Sequence, residues 1–524
     1  MDFLQNIKPR KYQEEILESC KSKNCLVVLP TGLGKTLIAL MLTIERMKEF
    51  PTSKIVFLAP TKPLAEQHLQ SYKKNLPELF AEMELFTGAI DKTKRKKIWQ
   101  TADIIFSTPQ CIANDLKKEL YSLQEVSLLV EDECHRCIKN YDYNFIAQKY
   151  KSQAQNPRIL GLTASPGNDK KRIQQICKNL GIESVEIRTR ESADVKEYLQ
   201  ELEFEKIMVD FPKEFEEMRH VLTELFDKYV EELKSRRVLY GPSNKTGLIN
   251  LQKRISATLS RGSRNFNYMA AASACAQAIK LQHALGLLET QTLEGFHKYL
   301  KDLFNQAAKK QSKGVVKLVA KPQFNFVYSQ VIELLTKKQE HPKIQKITEI
   351  VKGETSKNPE SKILIFAQFR DTAAIISKNL NELGNIKSEV FIGQAKKTSS
   401  DGKTSSGLNQ KKQKAMLEKF SSGEINVLCS TSIGEEGLDI PEVSAVIFYE
   451  PIPSAIRAIQ RRGRTARLSK GKLIILVTKN TRDEAFYYVS RAREKSMHQA
   501  IESIQQDLKS EKDITKFEKQ GRLF

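Results

Sequence analysis

Acid is what this chain is short of. Its 524 residues carry 63 Asp and Glu against 85 Lys and Arg, a net charge of +22. Such an imbalance repels cations and favours polyanions, with nucleic acid the first candidate. Long apolar runs are missing as well: no uncharged stretch reaches the ~18 residues that a membrane span needs. The start, MDFLQNIKPRKYQEEI, lacks the apolar segment of a secretory signal. Cysteine is sparse, eight residues scattered singly, which argues against a disulfide framework; reduced thiols in a cytosolic setting are the expectation. What remains is an ordinary globular composition, long enough for several domains of about 150 residues.

The charge is unevenly placed. Residues 233–338 hold 18 Lys or Arg against 4 Asp or Glu, whereas 201–232 hold 11 acidic and 4 basic residues. Affinity for phosphates depends on how many cations reach them together, so a concentrated block counts for more than a total. This block is not low-complexity: MAAASACAQAIKLQHALGLLE has the spacing of a packed helix. A folded basic domain is expected there.

Elsewhere apolar runs alternate with amphipathic stretches. CLVVL (25–29), KIVFLA (54–59), DIIF (103–106), SLLV (127–130) and RILGLT (158–163) read as buried parallel strands, with helical patterns such as 36–49 and 62–76 between them. KILIFA (362–367), VFI (390–392), NVLCS (426–430), AVIFY (445–449) and KLIILVT (472–478) repeat the scheme. The fold class expected is therefore α/β, with two doubly wound parallel-sheet domains and an all-helical insert between them. The boundaries are expected at 1–190 for the first domain, 191–338 for the basic, nucleic-acid-binding insert and 339–505 for the second domain, with a charged tail at 506–524. GQAKKTSSDGKTSSG (393–407) reads as a mobile loop.

Three motifs carry chemistry. CLVVL runs into PTGLGKT (30–36) and an apolar helix, the setting of a phosphate loop. There Thr31, Gly32 and Gly34 shape a turn whose N–H groups face phosphate, Lys35 supplies a point charge, and Thr36 offers a hydroxyl to Mg²⁺. The full pattern has glycine where this chain has Leu29, so only its second half is met. LLVEDECHR (128–136) ends a buried strand on two acids: Asp132 suits Mg²⁺ held through water, and Glu133 suits activation of the attacking water. His135 is given a relay role beside them. Cys134 and Cys137 form a CxxC, but without a second pair zinc is disfavoured. IQRRGRTARL (459–468) spaces Gln460, Arg464 and Arg467 so that guanidinium groups can neutralise a γ-phosphoryl in transfer. A loop in one domain and arginines in the other place ATP between them.

These blocks, together with APTKPL (59–64), TG (87–88), STPQ (107–110), LTASPG (162–167), ILIFAQFR (363–370) and TSIGEEGLDIP (431–441), occur in the order of superfamily-two helicase motifs. The sequence resembles the archaeal Hef and FANCM family, in its helicase part without the nuclease. It is similar also to Dicer and the RIG-I-like receptors, which share a helical insert at this place. The resemblance implies two RecA-like domains that close around ATP and grip one strand. It implies adenine reading by Arg10 and Gln13, and phosphate contacts by Thr61, Lys62, Gly88, Thr108 and Gln110 in domain one and by Arg370, Gly393, Gln394 and Thr431 in domain two. It implies coupling of hydrolysis to strand movement at Thr163 and Ser165, and a motif facing both ATP and strand at Gly437 and Asp439. The activity implied is an ATP-dependent DNA helicase or translocase on branched DNA, in a nucleoid-associated, cytoplasmic location.

Departures matter too. Glu131 stands where the family usually ends its strand on an apolar residue, and Ala466 where glycine is common. No ERKxxxD nuclease motif occurs, so no cleavage is expected of this chain: the nuclease is a separate partner protein, or it has been lost, or this chain is a piece excised from a longer one. The end, KFEKQGRLF, has Gln520, Leu523 and Phe524 of a sliding-clamp peptide without its aromatic pair; a frayed charged end is the better reading. The rival functions are an ATPase activated by double-stranded RNA and a scaffold that binds ATP without turnover.

Overall fold

The computed structural model describes residues 3–198, 202–261, 266–393, 397–398, 404–405, 407–431, 440–452 and 471–510. The first domain is built on β1 (Cys25–Val28), β2 (Lys54–Leu58), β3 (Met83–Phe86), β4 (Ile104–Ser107), β5 (Val126–Asp132), β6 (Ile159–Thr163) and β7 (Ser184–Ile187). They form one parallel sheet in the order β3-β4-β2-β5-β6-β1-β7. Central strands are buried on both faces, which is why their sequences are unbroken apolar runs. Alternate residues feed two cores: Leu26 and Val28 point to one, Cys25 and Val27 to the other. All eight cysteines are free and buried.

The second sheet comprises β8 (Leu202–Val209), β9 (Ile363–Phe366), β10 (Ser388–Phe391), β13 (Val427–Ser430), β14 (Ala445–Phe448) and β15 (Gly471–Thr478), all parallel, in the order β10-β13-β9-β14-β15-β8. Two findings depart from the sequence reading. β8 lies within the interval read as helical, yet it is the edge of the second sheet, in register with β15 along its whole length. The 393–407 segment, read as a loop, contains a small antiparallel hairpin of β11 (Lys397–Thr398) and β12 (Thr404–Ser405).

The insert itself is a helical bundle running from Lys213 to Thr336, with helices Lys213–Ser235, Lys245–Ser260, Phe266–Thr290 and Leu293–Ala308 among its members. Its core of Met218, Leu222, Ala274, Leu281, Phe296 and Phe324 is separate from those of the two sheets. It is tied to the second domain. Thr372 Oγ1 donates to Gln291 Oε1 at 2.8 Å, and Gln291 Nε2 donates to Glu450 Oε2 at 3.3 Å. Lys343 and Asp483, both fully buried, form an ion pair beside them.

After β15 a helix runs from Arg482 to Lys509, across the expected boundary at 505, and its far end packs on the first domain. No helix among the described residues is long and apolar enough to cross a membrane.

Candidate nucleotide site and nucleic-acid interface

Loops at the C-terminal ends of parallel strands are where open α/β sheets bind ligands, and here the two sets of motif residues separate along the sheet. The phosphate loop follows β1, the paired acids end β5, and Thr163 ends β6; β5, β6 and β1 are neighbours. Thr61 follows β2, Gly88 follows β3 and Thr108 follows β4, the three strands of the other half. The two sets thus share one edge of one sheet and occupy opposite halves of it.

In the phosphate loop Gly32 and Gly34 have φ of 89° and 78°, left-handed values open to glycine. The loop delivers the chain into the helix Lys35–Glu49, whose first N–H groups and positive dipole end face the site. Lys35 Nζ donates to Leu29 O at 2.9 Å, folded back on its own loop. Gln13 braces the turn: its Nε2 donates to Leu33 O at 3.1 Å, as does Tyr12 OH at 2.9 Å. A Cβ on Gly34 would stand 2.2 Å from Gln13 Nε2, so a side chain here, besides the strain of its φ, would displace the Gln13 amide from the turn. Arg10 lies over the Tyr198 ring, 5.2 Å from its centroid, an aromatic partner that the sequence did not single out.

Asp132 is fixed by the hydroxyl of Tyr143, which donates to its carbonyl at 2.6 Å. Its carboxylate meets His68 Nε2 at 2.9 Å, and His68 Nδ1 lies 3.4 Å from Thr36 Oγ1. Burial would raise the Asp132 pKa, but the His68 hydrogen bond and the charges of His68 and Lys35 outweigh it and hold the carboxyl below its ordinary value. Thr36 and Asp132, the two oxygens suited to Mg²⁺, therefore face each other across His68. Sequence reading missed His68; its signal was position, since it shares the buried face of Lys62–Asn75 with Ala65, Leu69 and Tyr72.

Glu133 has φ 52° and ψ 44°, a left-handed conformation that non-glycine residues adopt at a cost of about 1–2 kcal/mol. The turn breaks the strand and aims the second acid away from the first. Glu133 Oε2 lies 3.2 Å from His135 Nδ1 and accepts from Thr163 Oγ1 at 3.4 Å. His135 Nδ1 is also 3.1 Å from Thr163 Oγ1, which accepts from Ser165 N at 3.1 Å. Glu133, His135, Thr163 and Ser165 are thus one connected group. Glu131 points into the core beside Cys137, and burial pushes its carboxyl well above the ordinary range.

On the strand side, Thr61 and Lys62 open the helix Lys62–Asn75 and are exposed, and Thr108 and Gln110 sit at the start of Pro109–Lys117. In the second sheet Arg370 follows β9, Gly393 follows β10 and Thr431 follows β13, again three adjacent strands, with Thr431 N donating to Phe391 O at 3.2 Å. A cleft lies between the domains, lined by Lys62, Glu66 and Gln67 on one wall and Lys411, Lys414 and Leu417 on the other. Gln394, Gly437, Asp439, Gln460, Arg464 and Arg467 lie outside the described residues, as do Gln520, Leu523 and Phe524.

Comparison with known proteins agrees with this layout. A family model described as type III restriction enzyme, res subunit, matches residues 6–168, and the helicase conserved C-terminal domain matches 342–469. A model of an RNA helicase helical bundle matches 214–341. The crystal structure of the Pyrococcus furiosus Hef helicase domain is similar with a TM-score of 0.70 and 41% identity, over 92% of this chain and 98% of that one. A Methanocaldococcus jannaschii protein carrying an ATP-dependent RNA helicase name is 37% identical over 95% of this chain and 61% of its own length. The ATP-dependent DNA helicase mph1 of Neurospora crassa is 33% identical over 91% of this chain and 41% of its own, and the mouse Fanconi anemia group M protein homolog 30% identical over 96% and 26%. The chain spans less than two thirds of each of these three curated relatives. With a full-length match to the Hef helicase domain and the motif order intact, the chain belongs to the Hef and FANCM family of superfamily-two helicases.

Proposed function

We propose that this chain is an ATP-driven motor that translocates on and unwinds branched DNA, stalled forks and junctions above all. The observation that supports the reading is the division of the first sheet's C-terminal edge, with the loops after β5, β6 and β1 in one half and those after β2, β4 and β3 in the other. A small movement in one half is passed directly to the other.

Lys35 swings from Leu29 O to the β- and γ-phosphates, and the loop N–H groups hold them at the helix start. Thr36 and Asp132 fit Mg²⁺: both are hard oxygen donors at the loop mouth, and the lowered Asp132 pKa keeps its carboxylate ionised. When bound, the ion neutralises charge on the phosphates. Glu133 orients the water, and His135 with Thr163 senses its state. Gln460, Arg464 and Arg467, with Gly437 and Asp439, complete the site from the second domain on closure. Arg10 and Gln13 read the adenine; Thr61, Lys62, Gly88, Thr108, Gln110, Arg370, Gly393, Gln394 and Thr431 hold sugar and phosphate, with little sequence preference.

The bundle supplies the grip on the branch. From 233 to 288 the chain has nine Lys or Arg and no acid. Arg236 and Asn267 exchange hydrogen bonds at 3.2 Å, bringing Tyr240 (79% exposed) and Phe266 (77%) to one end of the bundle. Arg254 Nη2, donating to Val238 O at 2.8 Å, sits there too. Exposed rings among cations suit unpaired bases beside a phosphate backbone. A DNA-bound motor implies a nucleoid location.

Strand displacement on forks, four-way junctions and plain duplexes tests the reading: unwinding should need ATP, prefer forks and vanish in Lys35→Ala. ATPase stimulation by duplex RNA above that by forked DNA would favour the rival RNA-activated enzyme.

A further inference from the structure

The helix Arg482–Lys509 has 28 residues, about 42 Å at 1.5 Å per residue. Its two ends belong to different domains. At the start Asp483 is buried against Lys343, and Tyr487 enters the core of the second sheet. Arg482 Nη1 donates to Gln282 O of the bundle at 2.7 Å, and its Nε lies 3.3 Å from Glu289 Oε2. At the other end Met497, Ile501 and Ile504 are buried in the core of the first domain with Cys177, Leu180 and Val185. Lys170 Nζ donates to Ser503 Oγ at 2.7 Å and pairs with Asp507 Oδ2 at 2.9 Å. Residues 491–493 and 495–496, between the two anchors, are exposed. One stripe at helical spacing (483, 487, 490, 497, 501, 504) thus serves two cores in succession.

The docked end touches the nucleotide group. Ser165 Oγ donates to Met497 Sδ at 2.8 Å; Ser165 N donates to Thr163 Oγ1, and Thr163 reaches Glu133. A series of contacts therefore runs from the acid that meets the attacking water to a helix rooted in the second domain and the basic bundle.

We propose that this helix is a coupling strut and that Met497 is a positioning residue, passing the state of the Glu133–Thr163–Ser165 group to the body that carries the bundle. The proposal rests on the motor reading above. A helix resists compression along its axis, so a shift of Ser165 on hydrolysis appears at Arg482 and the bundle instead of being lost in a loop. Spatial connection alone does not prove coupling, so the test is of coupling itself.

ATPase would be measured with and without forked DNA, alongside thermal midpoint and fork unwinding, in wild type, Met497→Leu, Lys170→Glu and the exchange Lys170→Glu/Asp507→Lys. Leucine keeps the volume of Met497 and removes its sulfur. The Lys170–Asp507 pair is partly exposed, so its reversal spares the fold. The expected result is a thermal midpoint and DNA-free ATPase of Lys170→Glu like those of wild type, with stimulation by DNA reduced about fivefold, the low end of ordinary site-to-site coupling. The exchange should restore stimulation, and Met497→Leu should lower it. Unchanged stimulation in both single variants overturns the strut, as does a fall of basal and stimulated rates in parallel with the thermal midpoint. A wild-type ATPase indifferent to every nucleic acid overturns the motor reading instead, before any variant is compared.

Discussion

His68 Nε2 lies 2.9 Å from Asp132 Oδ2, and through this contact the helix that follows β2 holds the acid that ends β5. Partners that orient a metal-holding carboxylate typically contribute 10- to 100-fold to metal affinity or activity. His68→Ala is therefore expected to raise the Mg²⁺ concentration giving half-maximal ATPase by about 10-fold. Titration of Mg²⁺ at fixed ATP checks this, with unchanged maximal rate at saturating metal.

Gly34→Ala should strike nucleotide binding before stability. The added methyl meets Gln13 Nε2 at 2.2 Å in a backbone at φ +78°. Left-handed backbone costs a non-glycine residue about 1–2 kcal/mol, and Gln13 must also give up its bond to Leu33 O. Affinity for a fluorescent ATP analogue is expected to fall at least about tenfold, the equivalent of ~1.4 kcal/mol.

Glu131 sets a pH dependence of stability. Its folded pKa is raised, so stability is full below the unfolded value near 4.3 and is lost as pH climbs toward the folded pKa, because only the unfolded chain releases the proton. Across that window wild type should lose about 1.4 kcal/mol per pH unit relative to Glu131→Gln. Urea melts of both proteins from pH 5 to 8 measure it: the curves should diverge upward in pH, with the glutamine variant the more stable at pH 8.

The aromatic end of the bundle should distinguish DNA structures. Tyr240→Ala and Phe266→Ala are expected to weaken binding to a fork with unpaired arms by about 1–3 kcal/mol for each base unstacked, and to leave blunt duplex binding unchanged. Replacing Arg237, Lys253 and Arg261, all exposed, should weaken both substrates and reduce the salt slope by ~0.9 for each phosphate contact removed. Fluorescence anisotropy at several salt concentrations separates the two effects.

Most of the central sheet strands were legible because burial on both faces writes an apolar run into the sequence. β3, β7 and β8 were not. They are edge strands, half exposed, and LEFEKIMV carries charges at Glu203, Glu205 and Lys206, so β8 passed for the acidic lead-in to the bundle. Lys35, Asp132 and Glu133 were singled out by their fixed offsets in the sequence, and the structure places them at the ends of strands in the same half of the first sheet. His68 and Tyr198 were not, since each acts through a neighbour far away in sequence. The last helix was cut at 505, where a charged tail was expected, because its stripe, seen locally, is too sparse for one core; it is shared between two.

β8 joins the second sheet before the bundle begins, and the chain re-enters that same domain at Lys343 once the bundle ends. Both ends of the bundle are therefore rooted in one domain. A chimaera exchanging 213–341 for a relative's helices would have to keep Glu289 and Gln291, through which the bundle meets Arg482, Thr372 and Glu450, for the joint to the second domain to survive the exchange.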